Sequence, residues 1–370
     1  MELAVEQSIT QLARSATRAI EPYVWEAASH EIAARYGIDA SQVVRFDTNT
    51  APLPPPCLTS VLRQVEAVPD VNEYFDSSYA SLAQALSEYT GYAPENLVIG
   101  AGADEILDIV AKTFLDPRDT VVVPTPTYSM YRIVSQTLDV HVQTVPSRAD
   151  LGFDVDAIVA AAKNAKLIFL CNPNNPTGLT LPTAEIARLV KSVRCMVVVD
   201  EAYAEFSGES ALPLVRDEPR LIVIRTLSKA FSLAGARLGY AVCAPEVVDL
   251  ASRVRPPNSV SYISAVLGEA AVRDTAAVQA NVSSLIIERE WLAAALEELG
   301  LPVTPSSTNF VLVKLPSAEV AAKVHEACLS QGLVLRFYDA NPVLNSYLRI
   351  TARRRADNVR LIEALRAALS

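Results

Sequence analysis

The strongest constraint on the fold is a set of short, nearly unbroken apolar runs: LIFLC at Leu167–Cys171, MVVVD at Met196–Asp200 and LIVIR at Leu221–Arg225. Runs without polar alternation suit strands that are covered on both faces, as in parallel sheets. Stretches with helical periodicity, such as Asp104–Phe114 and Thr183–Val193, separate them. Seven strands are expected, at Asn96–Gly100, Thr120–Pro124, Val140–Val145, Lys166–Cys171, Cys195–Asp200, Arg220–Arg225 and Leu238–Cys243. Strand alternating with helix specifies the α/β class, with a mostly parallel seven-stranded sheet flanked by helices. Sheets of this kind bind ligands at the carboxyl ends of their strands.

The chain of 370 residues is long enough for two or three domains. A helix is expected around Trp25–Arg35, followed by the Pro-rich connector Ala51-Pro52-Leu53-Pro54-Pro55-Pro56. Beyond residue 255 a long helical pattern, Tyr262–Leu299, leads into strands near Asn309–Lys314, Gly332–Arg336 and Tyr347–Thr351, then a last helix from about Ala356. The expected division is an N-terminal arm and helix over 1–45, a large domain over 46–255 and a small α+β domain over 256–370. Part of the N-terminal segment joins the small domain, so it is built from both chain ends.

Composition narrows the function. A formal net charge of -10 argues against a nucleic-acid surface, which needs clustered Lys and Arg on one face. The five cysteines (Cys57, Cys171, Cys195, Cys243, Cys328) form no C-x-x-C pair, so neither a disulfide framework nor a metal site is indicated. No signal-peptide core opens the sequence, and no apolar run approaches membrane-spanning length. A cytoplasmic protein is expected.

Each chemistry-bearing motif follows a strand. Thr226-Leu227-Ser228-Lys229 comes after LIVIR, with Arg237 eight residues beyond the lysine. A deprotonated lysine forms an imine with an aldehyde cofactor, and hydroxyls plus a guanidinium suit that cofactor's phosphate; the motif also reads as a surface lysine in a loop. Asp200 ends MVVVD and would pair with a protonated ring nitrogen or merely cap a helix. Tyr203 lies three residues on. The loop Asn172-Pro173-Asn174-Asn175-Pro176-Thr177-Gly178 is either a tight turn or the carrier of an Asn175 amide donor. Gly100-Ala101-Gly102-Ala103-Asp104 opens a helix whose N–H groups suit a phosphate. Glu105 stands where a dinucleotide fingerprint needs its third glycine, which counts against a nicotinamide dehydrogenase. Tyr128 could stack on an aromatic ring or sit in the core.

The order and spacing of Tyr128, Asn175-Pro176-Thr177-Gly178, Asp200-x-x-Tyr203, Ser228-Lys229 and Arg237 resemble fold-type I pyridoxal-phosphate aminotransferases. GAGADEI, PTPTYSMY, FLCNPNNPTG, VVVDEAYAEF and RTLSKAFSLAGARLGYAV are similar to histidinol-phosphate aminotransferases. The resemblance spans about residues 40–365 and implies pyridoxal 5'-phosphate as cofactor. It implies that Lys229 carries the cofactor and moves the substrate proton, that Asp200 holds the ring nitrogen, and that Asn175 and Tyr203 hold the phenolic oxygen. Tyr128 would stack on the ring. Backbone at Ala103 and Asp104, with Thr226, Ser228 and Arg237, would hold the phosphate, joined by Tyr74 from the second subunit of a homodimer. Arg349, Arg336 and Tyr23 would contact the substrate. The implied reaction converts L-histidinol phosphate and 2-oxoglutarate to imidazole-acetol phosphate and L-glutamate.

Departures from the family pattern fall on the substrate side. Its Asn-Glu-Asn-Pro-Tyr-Gly signature reads Asn49-Thr50-Ala51-Pro52-Leu53-Pro54, Asn258 replaces a tyrosine, and Ala352-Arg353 replaces Val-Gly. An aromatic amino-acid aminotransferase and an amino-acid-phosphate decarboxylase are therefore the alternatives.

Overall fold

The computed structural model describes residues 9–20, 27–66, 72–74 and 76–370. A short strand β1 (Val44–Arg45) precedes seven strands: β2 (Leu97–Gly100), β3 (Thr120–Thr125), β4 (His141–Pro146), β5 (Leu167–Cys171), β6 (Met196–Asp200), β7 (Leu221–Thr226) and β8 (Gly239–Val242). These seven form one sheet in the order β2-β8-β7-β6-β5-β3-β4. The run from β7 to β4 is parallel, and β8 lies antiparallel to both of its neighbours. Six strands therefore point one way, with β8 as the exception.

The continuous apolar runs behave as two-faced strands. In β5, Ile168 and Leu170 enter one core while Leu167, Phe169 and Cys171 enter the other. In β6, Val197 and Val199 part in the same way from Val198. Alternate side chains leave opposite faces of a strand, so each run needs helices on both sides. Each of these buried aliphatic side chains contributes about 1.5–3 kcal/mol.

A second sheet, in the order β12-β13-β10-β9, comprises β9 (Val303–Thr304), β10 (Phe310–Lys314), β12 (Arg336–Phe337) and β13 (Tyr347–Thr351). It closes over its own core with helices Thr275–Glu298, Ala318–Leu329 and Arg355–Leu369. The strand β11 (Leu333–Val334) pairs in parallel with β1, which ties a segment near the start of the chain to one near its end. No described helix is long and apolar enough to cross a membrane.

Several bounds differ from the sequence expectation. The long helical pattern is two helices, Tyr262–Arg273 and Thr275–Glu298. Asp274 separates them and caps the second, its carboxylate accepting from the Ala277 N–H at 3.1 Å. The expected strand Gly332–Arg336 divides into β11 and β12, which belong to different sheets. The N-terminal helix is Ser29–Tyr36, ending at Gly37 in the left-handed conformation (φ 68°) that glycine adopts without strain. Trp25 lies outside the described residues.

Candidate active site

The carboxyl ends of β2, β3, β5, β6 and β7 share one edge of the sheet, and there the chemistry-bearing residues collect. Gly239 opens β8 at the same edge, in register with both Gly100 and Thr226, and so places Arg237 beside the start of helix Ala103–Phe114.

That corner is built for close backbone approach. A Cβ at Gly239 would stand 2.4 Å from the Gly102 carbonyl carbon and 2.5 Å from the Ala103 nitrogen. Gly102 has φ +86°, and a Cβ there would meet the Arg237 guanidinium at 2.6 Å. Arg237 pairs with Asp104 at 3.2 Å, and Asp104 also accepts from the Tyr128 hydroxyl at 2.9 Å. The first N–H groups of a helix lack partners within it, so guanidinium and helix start together suit a phosphate. The Thr226 hydroxyl accepts from the Ser228 N–H at 3.1 Å and lies 2.9 Å from the Ser228 hydroxyl, so it shapes the same turn from beneath. Gly239→Ala is expected to push this corner apart and weaken cofactor retention about tenfold or more; dialysis against a competing aldehyde scavenger, followed by absorbance, measures it.

Lys229 sits in the middle of the edge, half-buried. Its Nζ is 3.4 Å from the Thr48 carbonyl oxygen and 5.9 Å from the Tyr203 ring centroid. Burial, with Arg349 as the next cause, lowers its amine to about 8. A lysine in that range carries an appreciable fraction of nucleophilic free base near neutrality.

Asp200 is buried at the end of β6. Its oxygens accept from the Tyr131 hydroxyl at 2.8 Å and the Ala202 N–H at 3.1 Å, neither of which carries charge. Burial pushes its carboxyl up to about 6. A buried carboxylate held by neutral donors is the counter-group that a protonated ring nitrogen requires. Sequence reasoning did not single out Tyr131, although it stands three residues after Tyr128, one helical turn on. Its ring stacks on Phe169 at 5.3 Å and meets Tyr128 edge-on at 5.8 Å.

Across the edge stands Arg349 of β13. Its guanidinium donates to Asn175 Oδ1 at 2.5 Å and to the Asp47 carbonyl, and it lies 5.3 Å from the Phe310 ring centroid. With its oxygen occupied, the Asn175 amide keeps Nδ2 as a donor. The Asn175–Pro176 bond is cis, as are Thr125–Pro126 and Asn172–Pro173. Tyr203 is buried, and its hydroxyl accepts from Asn49 Nδ2 at 2.9 Å. Arg336 lies directly opposite Arg349 on the neighbouring strand, with its guanidinium 5.7 Å from the Tyr338 ring centroid. Tyr74 is 91% exposed, away from this cluster's interior. Tyr23 lies outside the described residues. Among the described residues, no three His, Cys, Asp or Glu side chains converge as a metal ion would need.

Phosphate corner, buried carboxylate held only by neutral donors, amide donor and low-pKa lysine all fit pyridoxal 5'-phosphate in charge and chemistry. The family model for aminotransferase class I and II matches residues 41–365. Fold and site together define the class, a pyridoxal-phosphate-dependent aminotransferase of fold type I. The chain is 38% identical to histidinol-phosphate aminotransferase 2 of Archaeoglobus fulgidus, a match spanning 88% of this chain and 93% of that one. It is 34% identical to the histidinol-phosphate aminotransferase of Roseiflexus castenholzii, over 97% and 98% of the two chains. The crystal structure of the Sinorhizobium meliloti histidinol-phosphate aminotransferase in complex with pyridoxal-5'-phosphate superposes with a TM-score of 0.88, at 27% identity and 96% coverage of both chains. The chain belongs to the histidinol-phosphate aminotransferase family.

Proposed function

We propose that the enzyme transfers an amino group from L-histidinol phosphate to 2-oxoglutarate, giving imidazole-acetol phosphate and L-glutamate. The observation that carries this reading is the pairing of Arg336 with Arg349 in register on adjacent antiparallel strands. Directly opposed residues leave the same face of a sheet, and like charges there repel. An anion offering several oxygens, such as a phosphate monoester, resolves that repulsion and uses two guanidinium forks at once. The relatives named above act on the same substrate by name.

Pyridoxal phosphate, when bound, supplies the electron sink that makes the substrate's α-proton removable. The residues around it divide the remaining work. Lys229 would hold the cofactor covalently and would afterwards carry the proton from the substrate α-carbon. Asp200, oriented by Tyr131, keeps the ring nitrogen protonated. Asn175 and Tyr203 would donate to the ring oxygen, and Tyr128 would pack on the ring face. Ser228, Arg237 and the backbone of Ala103 and Asp104 grip the phosphate, with Thr226 shaping the turn. Tyr23 would contact the substrate.

Tyr74, an almost fully exposed aromatic, reaches a second copy's phosphate site, which makes the enzyme a homodimer. Five unpaired cysteines accord with a reducing cytoplasm. The division proposed is an N-terminal arm over 1–45, a large cofactor-binding domain over 46–255 and a small domain over 256–370, joined by part of the N-terminal segment; the pairing of β1 with β11 supports that joining.

A substrate panel tests the assignment. Histidinol phosphate should exceed phenylalanine in kcat/KM; the reverse preference would favour the aromatic aminotransferase reading, and released carbon dioxide the decarboxylase. Arg349→Gln is expected to lower kcat/KM for histidinol phosphate about 100-fold, through the loss of charge-assisted hydrogen bonds. Arg336→Gln should cost less, and steady-state kinetics compares the two.

A further inference from the structure

We infer that Asn49 is a positioning residue that aims the hydroxyl proton of Tyr203 at the cofactor's ring oxygen. The inference rests on the placement of Tyr203 proposed above and goes beyond it by assigning what orients the phenol.

Asn49 is 2% exposed and held at every polar atom. Its backbone N–H donates to Thr351 Oγ1 at 3.0 Å, and its carbonyl accepts from Asn309 Nδ2 at 3.0 Å. Its side-chain Oδ1 accepts from the Thr351 hydroxyl at 3.0 Å, while Nδ2 donates to the Tyr203 hydroxyl at 2.9 Å. This pattern fixes which way round the amide lies. Thr351 is fully buried and its oxygen already accepts from the Asn49 backbone, so its one proton is satisfied by Oδ1. Turning the amide over would set two donors against the Thr351 oxygen and strand that proton. Nδ2 must therefore face Tyr203.

The phenol's oxygen thus receives a proton from Asn49, and its own O–H has to point elsewhere. Phe310 packs edge-on against the ring at 5.4 Å and 87°, which holds the ring plane. Burial pushes the phenol well above its ordinary range, so it keeps a proton to donate. Asn49 adopts φ 54°, a left-handed conformation that asparagine and aspartate tolerate better than most residues. Thr351 and Asn309 belong to β13 and the approach to β10, whereas Tyr203 follows β6. Asn49 therefore carries the geometry of the smaller sheet onto a donor of the larger one.

The test is the pH midpoint at which the visible absorbance of the holoenzyme changes. A donor on the cofactor's ring oxygen withdraws electron density and weakens that oxygen's hold on the proton it shares with the Lys229 nitrogen. Removing the donor raises the midpoint. Asn49→Asp places an acceptor where Nδ2 stands, so the phenol turns its proton back toward residue 49. The charged and titratable groups facing Tyr203 are Arg349, Asp200, Cys171 and Lys229; those facing Lys229 are Arg349, Asp104, Arg237, Asp200 and Tyr203. Apart from Tyr203 itself, all of them stay unchanged in the variants.

Asn49→Asp should raise the midpoint by about one pH unit, a tenfold change in the proton equilibrium. Tyr203→Phe should raise it comparably, and the double variant no further than Tyr203→Phe alone. A midpoint that moves in Tyr203→Phe but not in Asn49→Asp overturns the inference. So does an Asn49→Asp shift that persists in the Tyr203→Phe background, since that marks a through-space charge effect. If Tyr203→Phe itself leaves the midpoint unmoved, the placement of Tyr203 fails and takes this inference with it. Thr351→Val, which frees the amide to turn, should give a smaller rise in the same direction; no rise counts against Asn49 should its aspartate variant fold poorly.

Discussion

Lys229→Ala is expected to lower kcat by about 10⁴-fold or more, because one side chain both anchors the cofactor and moves the substrate proton. Borohydride treatment followed by peptide mass mapping should find pyridoxyl on the Lys229 peptide of the wild type and none on the variant. Turnover within tenfold of wild type would refute the assignment. The same residue sets a pH dependence. Its amine lies at about 8, against an ordinary 10.5, chiefly through burial. At pH 7 that shift raises the free-base fraction about 300-fold. Capture of free pyridoxal phosphate by the cofactor-free protein should quicken as pH rises toward 8 and level off above it, as followed by absorbance.

Asp200→Asn should reduce kcat by about 10³-fold, since a neutral amide cannot keep the ring nitrogen charged. Single-turnover mixing with histidinol phosphate isolates this loss from product release. The substitution also has a signature in the cofactor-free protein. Burial raises the Asp200 carboxyl from an ordinary 3.8 to about 6. Between those values the folded chain retains a proton that the unfolded chain has released. Stability should therefore fall as pH rises from about 4 to about 6, by up to about 3 kcal/mol. Asp200→Asn removes that contribution, and urea midpoints at the two pH values measure it. An equal pH slope in wild type and variant would show that the carboxylate is not paying a burial cost.

Much of the larger sheet was legible because its strands are buried on both faces. LIFLC, MVVVD and LIVIR have no polar alternation, and the structure places each inside two helical layers. The antiparallel direction of β8 was not legible, since GYAV reads alike whichever way it runs. Strands of two residues, such as β1 and β9, carry too little periodicity to register. The break at Asp274 was hidden because the apolar pattern continues across it, and only the cap geometry marks it.

At the site, residues directly after strands were readable, since their chemistry stands at a known edge. Those reached across the fold were not. Tyr131 lies on a helix after β3 and meets Asp200 because β3 pairs with β5 and β5 with β6. Asn49 was visible as part of an altered signature, yet its bond to Tyr203 spans 154 positions. Arg225 ends an apolar run inside a buried strand, a signal of a buried partner. That partner is Glu201 at 2.9 Å, with Glu205 at 3.6 Å, behind the strand ends that bear Asp200 and Thr226.

The strand order carries a consequence for biosynthesis. β8 is the last of the seven to be made, yet it fills the gap between the first, β2, and β7, the strand that leads to Lys229. Until the ribosome has released Gly239–Val242, the helix start at Ala103 and Asp104 and the amine that reacts have no strand to join them. A nascent chain arrested before that point is therefore blind to vitamin B6. Coenzyme uptake becomes a report that the sheet has been closed.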